Sequence, residues 1–275
     1  MYRPLAGLLE AAHANGMRTL VSTNGLLLDP ERLDPLIGRL DMLAVSLDGP
    51  PEDHDRMRAR PGAFADMVGG LPALRASGIP FAFLFTLTLH NVHQLEWAAS
   101  FALSHGASFL QVHPLEATGR GANLAASVPD AIEGSFALLE AQRVEQTYGG
   151  RLRIYVDMVT RQALAAHPDT VYADGHDLAA DIPLSRLVSP LVVEPDGICV
   201  PLEYGFPRQY AFGDIRRQRL AEAAASWRRS VYPSFHRHCL LAYEQLVSPS
   251  GPAVVDWYAS VAATRPARRT HPWGN

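Results

Sequence analysis

The sequence is short of several things, and each shortage closes a class of function. No apolar run approaches the roughly 18 residues a helix needs to cross a bilayer, so no membrane span is predicted. Twenty-four Lys and Arg face 28 Asp and Glu, a net charge of -4, which leaves no basic surplus for a nucleic-acid backbone. Only two cysteines occur, Cys199 and Cys239. They allow one disulfide at most, and the expected reading is a cytoplasmic protein with two free thiols. G-x-S-x-G, the P-loop and G-x-G-x-x-G are all absent, which removes the nucleophile elbow and the common phosphate cradles. Gly119-Arg120-Gly121 is too short to replace them. The opening, MYRPLAGLLEAAHANG, mixes acidic and His positions into an apolar stripe and reads as an amphipathic helix, not a signal peptide.

What is present alternates between two periods. Residues 4–15 place Leu5, Leu8, Leu9 and Ala12 on one helical face, with Gly16 as the stop. TLVST (19–23) is a short buried strand. Asp29-Pro30 is an N-cap followed by Pro at the first helical position, and Leu33, Leu36, Ile37 and Leu40 form the stripe behind it. MLAVSL (42–47) is the next strand, residues 62–77 a helix ended by Gly78, and FAFLFTLTL (81–89) a long strand. A helix over 93–104, a strand over 109–115, a helix over 128–148 and a strand over 151–156 continue the alternation. Strands this short and apolar are predicted to be parallel and covered by helices on both faces. Residues 168–183 read as a loop. The pattern then changes: LVVEPDGICV (191–200) is a hairpin turning on Pro195-Asp196-Gly197, and helices follow over 218–229 and 236–246.

Polar groups recur at the C-terminal end of the first four strands: Ser22-Thr23-Asn24; Ser46 and Asp48; Thr86, Thr88 and Asn91; Gln111, His113 and Glu116. Barrel enzymes keep their chemistry at that end, which favours a barrel over a doubly wound sheet. The expected fold is α/β: a partial (β/α) TIM-type barrel lacking its first strands, with a small C-terminal α+β extension. The domain boundaries expected are 1–160 for the barrel, 185–250 for the extension and 265–275 for a basic, disordered tail.

Three stretches together resemble the radical SAM superfamily, in its branch with SPASM or twitch-type C-terminal extensions, which includes peptide-modifying enzymes and sulfatase maturases. Ser22-Thr23-Asn24-Gly25 is similar to the family's TNG motif. Val45-Ser46-Leu47-Asp48-Gly49-Pro50, continuing through His54-Asp55, Arg58 and Gly62-Ala63-Phe64, is similar to its S-x-D-G-P, H-D, R, G-x-F pattern. QVHPLEATGRG (111–121) resembles the strand segment ending in G-R. TNG alone is a weak signal; the second pattern, in this order and spacing, is a strong one. The resemblance implies binding of S-adenosylmethionine (SAM) and its reductive cleavage to a 5′-deoxyadenosyl radical that takes a hydrogen from a substrate, a peptide or a small molecule. It implies Ser46, Asp48, Thr23, Asn24 and Val112 as cofactor contacts. It also implies that Arg58 reaches the SAM carboxylate through paired charge-assisted bonds, at little expense to stability if lost.

The same resemblance exposes what this sequence does not carry. The family holds a [4Fe–4S] cluster on a C-x3-C-x2-C loop, and two cysteines cannot supply three thiolates. The chain opens where the family would be just past a G-G-E-P segment, so an in-frame upstream stretch encoding both motifs is the expectation. In the extension, Pro201 is followed by Leu202 where the branch has Cys, and a later C-x2-C is reduced to Cys239, so auxiliary clusters are not expected. No metal ligands are assigned: His236 and His238 stand too close in sequence for a usual zinc pair with Cys199 and Cys239, and read as solvated. Two rival functions remain open at this point. One is a non-catalytic barrel remnant or binding module. The other is an ordinary barrel hydrolase or isomerase with His113 and Glu116 as its acid–base pair.

Overall fold

Helix ends fall where the sequence supplies caps. In the computed structural model, which describes residues 4–116, 119–174 and 182–264 (the side chains of residues 119, 120 and 122 excepted), the chain divides into two compact units, Met1–Asp157 and Met158–Asn275. The tail from residue 265 lies outside the described residues.

The first unit runs α1 (Leu5–Ala14), β1 (Leu20–Thr23), α2 (Pro30–Leu33), β2 (Met42–Leu47), α3 (Pro51–Met57), α4 (Ala63–Ser77), β3 (Phe81–Leu87), α5 (Leu95–His105), β4 (Phe109–Pro114), α6 (Ala131–Thr147) and β5 (Arg153–Val156). Asp29 caps α2 by accepting from Arg32 N, as its place before Pro30 predicts. Two expectations fail locally. The helix starting at Pro30 tightens to a 3-10 turn at Asp34–Leu36, because Pro35 cannot continue an α-helical ladder. Ile37 consequently leaves the stripe and is exposed. The helix α3 was not foreseen: its sequence PEDHDRM is polar and has no apolar stripe to announce it.

The five strands pair in chain order, β1-β2-β3-β4-β5, all parallel, with no pairing between β1 and β5: an open (β/α) sheet and not a closed barrel. Its two faces differ. Leu43, Val45, Leu47, Phe81, Phe83, Phe85, Leu110 and Val112 are fully buried on one face, against which α5 packs. The opposite face carries Leu20, Ser22, Ala44, Ser46, Ala82, Leu84, Thr86, Gln111, His113 and Tyr155, which register side by side across the strands. It is only partly covered, with Leu20 and Tyr155 exposed. The expectation that both faces are covered is therefore corrected: the second is covered only in part, with Ala44 and Ala82 buried.

The edge strand β1 is unpaired on one side among the described residues, and Leu8, Met17, Leu20 and Leu27 are exposed on or beside it. A cavity of about 390 Å³ opens next to it, lined mainly by Leu5, Val21, Leu27, Leu28, Leu33 and Leu36. An unpaired apolar edge recruits other chains. The chain is expected to self-associate, and Leu20→Lys to raise its monomer fraction, when both are run by size exclusion with light scattering. A wild type that stays monomeric at tens of micromolar would contradict this.

The second unit comprises β6 (Val159–Thr160), α7 (Arg161–Ala166), α8 (Leu184–Leu187), β7 (Leu191–Val193), β8 (Ile198–Pro201), β9 (Gly213–Asp214), α9 (Leu220–Ser230), α10 (Tyr232–Val247), β10 (Val254–Val255) and α11 (Trp257–Ala263). The predicted hairpin is β7–β8, antiparallel, turning through Gly197 at φ 78°, and β9 adds to it as a third antiparallel strand. The segment 168–183, expected to be a loop, opens with a 3-10 turn over Pro168–Val171, and its residues 175–181 lie outside the described residues. Phe206, Tyr210, Phe212, Trp227, Tyr232 and Phe235 form an aromatic core together with the buried thiols of Cys199 and Cys239.

Candidate functional site

The polar strand ends converge at one end of the open face. Their best-ordered feature is Asp48, which follows β2 with its side chain fully buried. Arg58, the residue after α3, grips it with both arms of its fork, Nε to Oδ2 at 2.6 Å and Nη2 to Oδ1 at 2.8 Å. Thr86 Oγ1 donates to Oδ1 at 2.7 Å, and His54 Nδ1 lies 3.2 Å from Oδ2. Burial alone would push the Asp48 carboxyl up; His54, the Arg58 charge and the Thr86 bond outweigh it and hold the carboxyl below its usual range.

The spacing of the H-D, R, G-x-F pattern thus has a local cause. His54 packs, fully buried, under Asp48 and edge-on to Phe64. Asp55 accepts from Gly62 N at 2.5 Å and Phe64 N at 2.8 Å, capping the start of α4. Gly62 adopts φ 82° to let the chain enter that helix. The turn Thr23-Asn24-Gly25 is closed by its own side chains: Thr23 Oγ1 accepts from Gly25 N and Asn24 Oδ1 from Leu26 N. A Cβ on Gly25 would lie 2.5 Å from Met67 Cγ, so the strand end and α4 approach too closely for any other residue.

Among the residues expected to touch a cofactor, Ser46 stands out. It is half-buried on the open face, and its hydroxyl engages no described residue. Thr23 and Asn24 lie at the same end, with one oxygen each committed to the turn. Asp48 and Arg58 are committed to one another. Val112 is on the opposite face, with its side chain fully buried and its carbonyl accepting from Asp157 N. The open-face neighbours of Val112 are Gln111 and His113, because side chains alternate along a strand.

A second cluster closes the other end of the row. His113 Nδ1 is 2.9 Å from Asp157 Oδ2, and its Nε2 is 3.2 Å from Glu116 Oε1. Gln111 Nε2 also donates to Asp157 Oδ2, at 2.7 Å. A ring with a carboxylate at each nitrogen must donate from both, so it is an imidazolium. These two bonds push its pKa up to about 10 despite the opposing effect of burial. A proton held that firmly makes His113 a poor base at neutral pH. Asp157 was missed at the sequence level. It ends β5 just as the polar residues end the other strands, and extending that rule by one strand would have found it.

The cysteines do not fit an iron–sulfur cluster. Both are free and buried, and burial pushes both thiols up, away from the thiolate a ligand requires. Among the described residues no group of His, Cys, Asp and Glu is arranged to hold a metal. His236 and His238 lie within α10 and point apart. His236 reaches the Asp174 carbonyl at 3.0 Å; His238, buried and not solvated as expected, reaches the Val261 carbonyl at 2.7 Å. No described helix is long and apolar enough to cross a membrane.

Comparison with known proteins bears on this geometry. Residues 1–102 match the radical SAM superfamily. An AdoMet-dependent heme synthase from Methanosarcina barkeri is 36% identical over 108 residues, 38% of this chain and 31% of that protein. A PqqA peptide cyclase from Ruegeria pomeroyi is 32% identical over 168 residues, 60% of this chain and 44% of that protein. The chain therefore spans less than half the length of these curated relatives. Among solved structures, a histidine-tagged form of anSMEcpe with bound AdoMet aligns with a TM-score of 0.60 at 13% identity, over 95% of this chain and 73% of that one. Streptococcus suis SuiB bound to S-adenosylmethionine aligns at 0.59 and 11%, over 90% and 60%. At such identities the likeness is one of fold.

Proposed function

We propose that this chain, whose residues 1–102 match the radical SAM superfamily, belongs to that superfamily, and that its first unit supplies the SAM-binding and substrate-facing part of an enzyme that modifies a peptide. Bound SAM supplies the 5′-deoxyadenosyl group that abstracts hydrogen in this family. The cysteines of this chain do not fit the cluster that drives that step. What the chain's own residues do is bind and orient.

The observation that carries the reading is Ser46: a free hydroxyl on the open face, at the strand end where barrels present ligand groups, flanked by the Thr23-Asn24 turn. A hydroxyl there suits the ribose or amino group of SAM. Asp48 and Arg58 act on the ligand indirectly, by fixing the end of β2 on which Ser46 sits. The open face beyond Ser46 receives the substrate, and the second unit is the SPASM or twitch-like extension of that branch. A peptide is favoured because the PqqA peptide cyclase matches a longer stretch of this chain than the heme synthase does, and SuiB has also been solved with its precursor peptide. A cytoplasmic location fits the two free, buried thiols.

Calorimetric titration of SAM tests the reading. Wild type is expected to bind SAM saturably. Ser46→Ala should lose one uncharged hydrogen bond, roughly 1 kcal/mol or about fivefold in affinity, with an unchanged melting curve in the absence of ligand. Absence of saturable SAM binding by the wild type would overturn it.

A further inference from the structure

The open face changes character along a single row. Register places Ser46, Leu84, Gln111 and Tyr155 side by side across β2 to β5. Neighbouring strands lie about 4.8 Å apart, so Gln111 stands roughly 10 Å from Ser46 and roughly 5 Å from Tyr155. Ser46 takes SAM in the proposed function, and nothing in that role uses the β4 and β5 end of the row.

Gln111 has a fixed polarity. Its Nε2 donates to Asp157 Oδ2 at 2.7 Å, the same oxygen that faces His113 Nδ1 at 2.9 Å. A carboxylate accepts and cannot donate, so the amide nitrogen must face Asp157 and the amide cannot turn over. Oε1 is the end left for the open face. No described residue donates to it, and Gln111 has no further partner. Nor is it walled in: the buried side-chain atoms without a partner belong to His54, Gln94 and Glu133. A hydroxyl both donates and accepts, so it adapts to either end of an amide. A backbone N–H only donates, and a fixed oxygen selects it. The neighbours fit such a ligand. Half-buried Leu84 lies on one side, and on the other Tyr155 exposes its ring, steadied edge-on by Phe109 at 5.4 Å. A peptide laid across these two loses water at its N–H, which then needs an acceptor from the protein. Gln111 Oε1 is the acceptor between them.

We propose that Gln111 is a specificity-determining residue: its carboxamide oxygen accepts the backbone N–H of a substrate residue whose apolar side chain lies against Tyr155. Asp157 is the positioning residue that fixes which end of the amide is presented. The proposal rests on the reading that the open face receives a peptide, and adds which group of that peptide is held.

A peptide and its ester test this in the folded wild type. The probes are acetyl-Ala-Phe-Ala amide and the analogue with phenyllactate in place of Phe, in which one N–H becomes an ester oxygen. Titrating the peptide into the full chain labelled with 15N-glutamine should move the Gln111 carboxamide signal saturably. Gln111→Met assigns that signal by its absence. The ester should bind about fivefold more weakly, the value of one uncharged hydrogen bond. Gln111→Met should bind both probes equally, at the wild type's affinity for the ester. Asp157→Asn lets the amide turn over and should narrow the peptide's advantage with Gln111 still in place. Both variants are also titrated with SAM, and wild-type SAM affinity is expected, so failure of the cofactor reading is scored separately. The two probes on wild type need no variant, so an early-melting Gln111→Met leaves that comparison intact. Equal binding of peptide and ester by wild type, saturable binding of neither, or a Gln111 signal that stays in place would overturn the proposal. So would a Gln111→Met protein that loses SAM and keeps the peptide's advantage, the result expected of a cofactor contact.

Discussion

Replacing Asp48 with alanine is expected to cost about 3–5 kcal/mol of folding stability, among the largest losses from any single substitution in this chain. The carboxylate is fully buried and serves Arg58 twice, Thr86 once and His54 at 3.2 Å. Its removal leaves the Arg58 cation and the Thr86 hydroxyl without their described partner at the end of β2, while His54 Nδ1 keeps the Asp48 N–H. The loss of a hydrogen bond is small next to the penalty of stranding such groups. The reciprocal change is milder. Arg58→Ala leaves the carboxylate with His54 and Thr86, and Arg58 is itself partly exposed, so about 2 kcal/mol is expected. This reverses the expectation from sequence that Arg58 is dispensable to the fold. The pH dependence has a definite sign. A carboxyl held below its unfolded value stabilises at neutral pH, and that contribution is lost as pH falls through the folded value. Urea denaturation of wild type, Asp48→Ala and Arg58→Ala at pH 7 measures the two losses, and repeating the wild type at acid pH measures the third effect. A loss below about 1 kcal/mol in Asp48→Ala would show that the pair is solvated and not structural.

The Asp48 network shows what a sequence discloses and what it withholds. The strands of the first unit and the hairpin of the second were legible because each is an apolar run between turn residues. The turn at Pro195-Asp196-Gly197 and the cap at Asp29 are local chemistry, visible within a few residues of chain. The polar strand ends were legible as a set, and they do share one end of the sheet. The pairing inside that set was not. Asp48 meets Thr86, 38 residues away, and His113 meets Asp157, 44 away; only the register of parallel strands brings either pair together. The face a strand residue occupies was equally hidden. Val112 and His113 differ by one position, and the pleat sends the first under the helices and the second to the open face. The helix α3 escaped because its positions are dictated by what they grip, His54 under Asp48 and Asp55 at the cap of α4, and not by an apolar stripe.

The second unit is expected to depend on Trp227 as the first depends on Asp48. Here Cys199 and Cys239 are buried, free and pushed toward the neutral thiol. Aromatic side chains fill the core around them. Trp227, 1% exposed on α9, stacks on Phe212 with ring centroids 4.3 Å apart, meets Phe235 at 5.4 Å and Tyr232 at 5.6 Å, and donates from Nε1 to the Tyr210 carbonyl at 2.8 Å. Trp227→Ala removes the largest fully buried side chain of the described residues and leaves a cavity bounded by rings that cannot all collapse into it. About 3–5 kcal/mol is expected. Trp227→Phe separates the two contributions. It keeps much of the stacking area but strands the buried carbonyl, so about 1–2 kcal/mol is expected. Adding a strong chelator to the wild type should leave its melting curve in place, because no described ligand set binds a metal. Circular dichroism in urea for the three proteins, with and without chelator, makes the comparison. A chelator-sensitive wild type together with a tolerant Trp227→Ala would assign the stability of this unit to a metal and not to its rings.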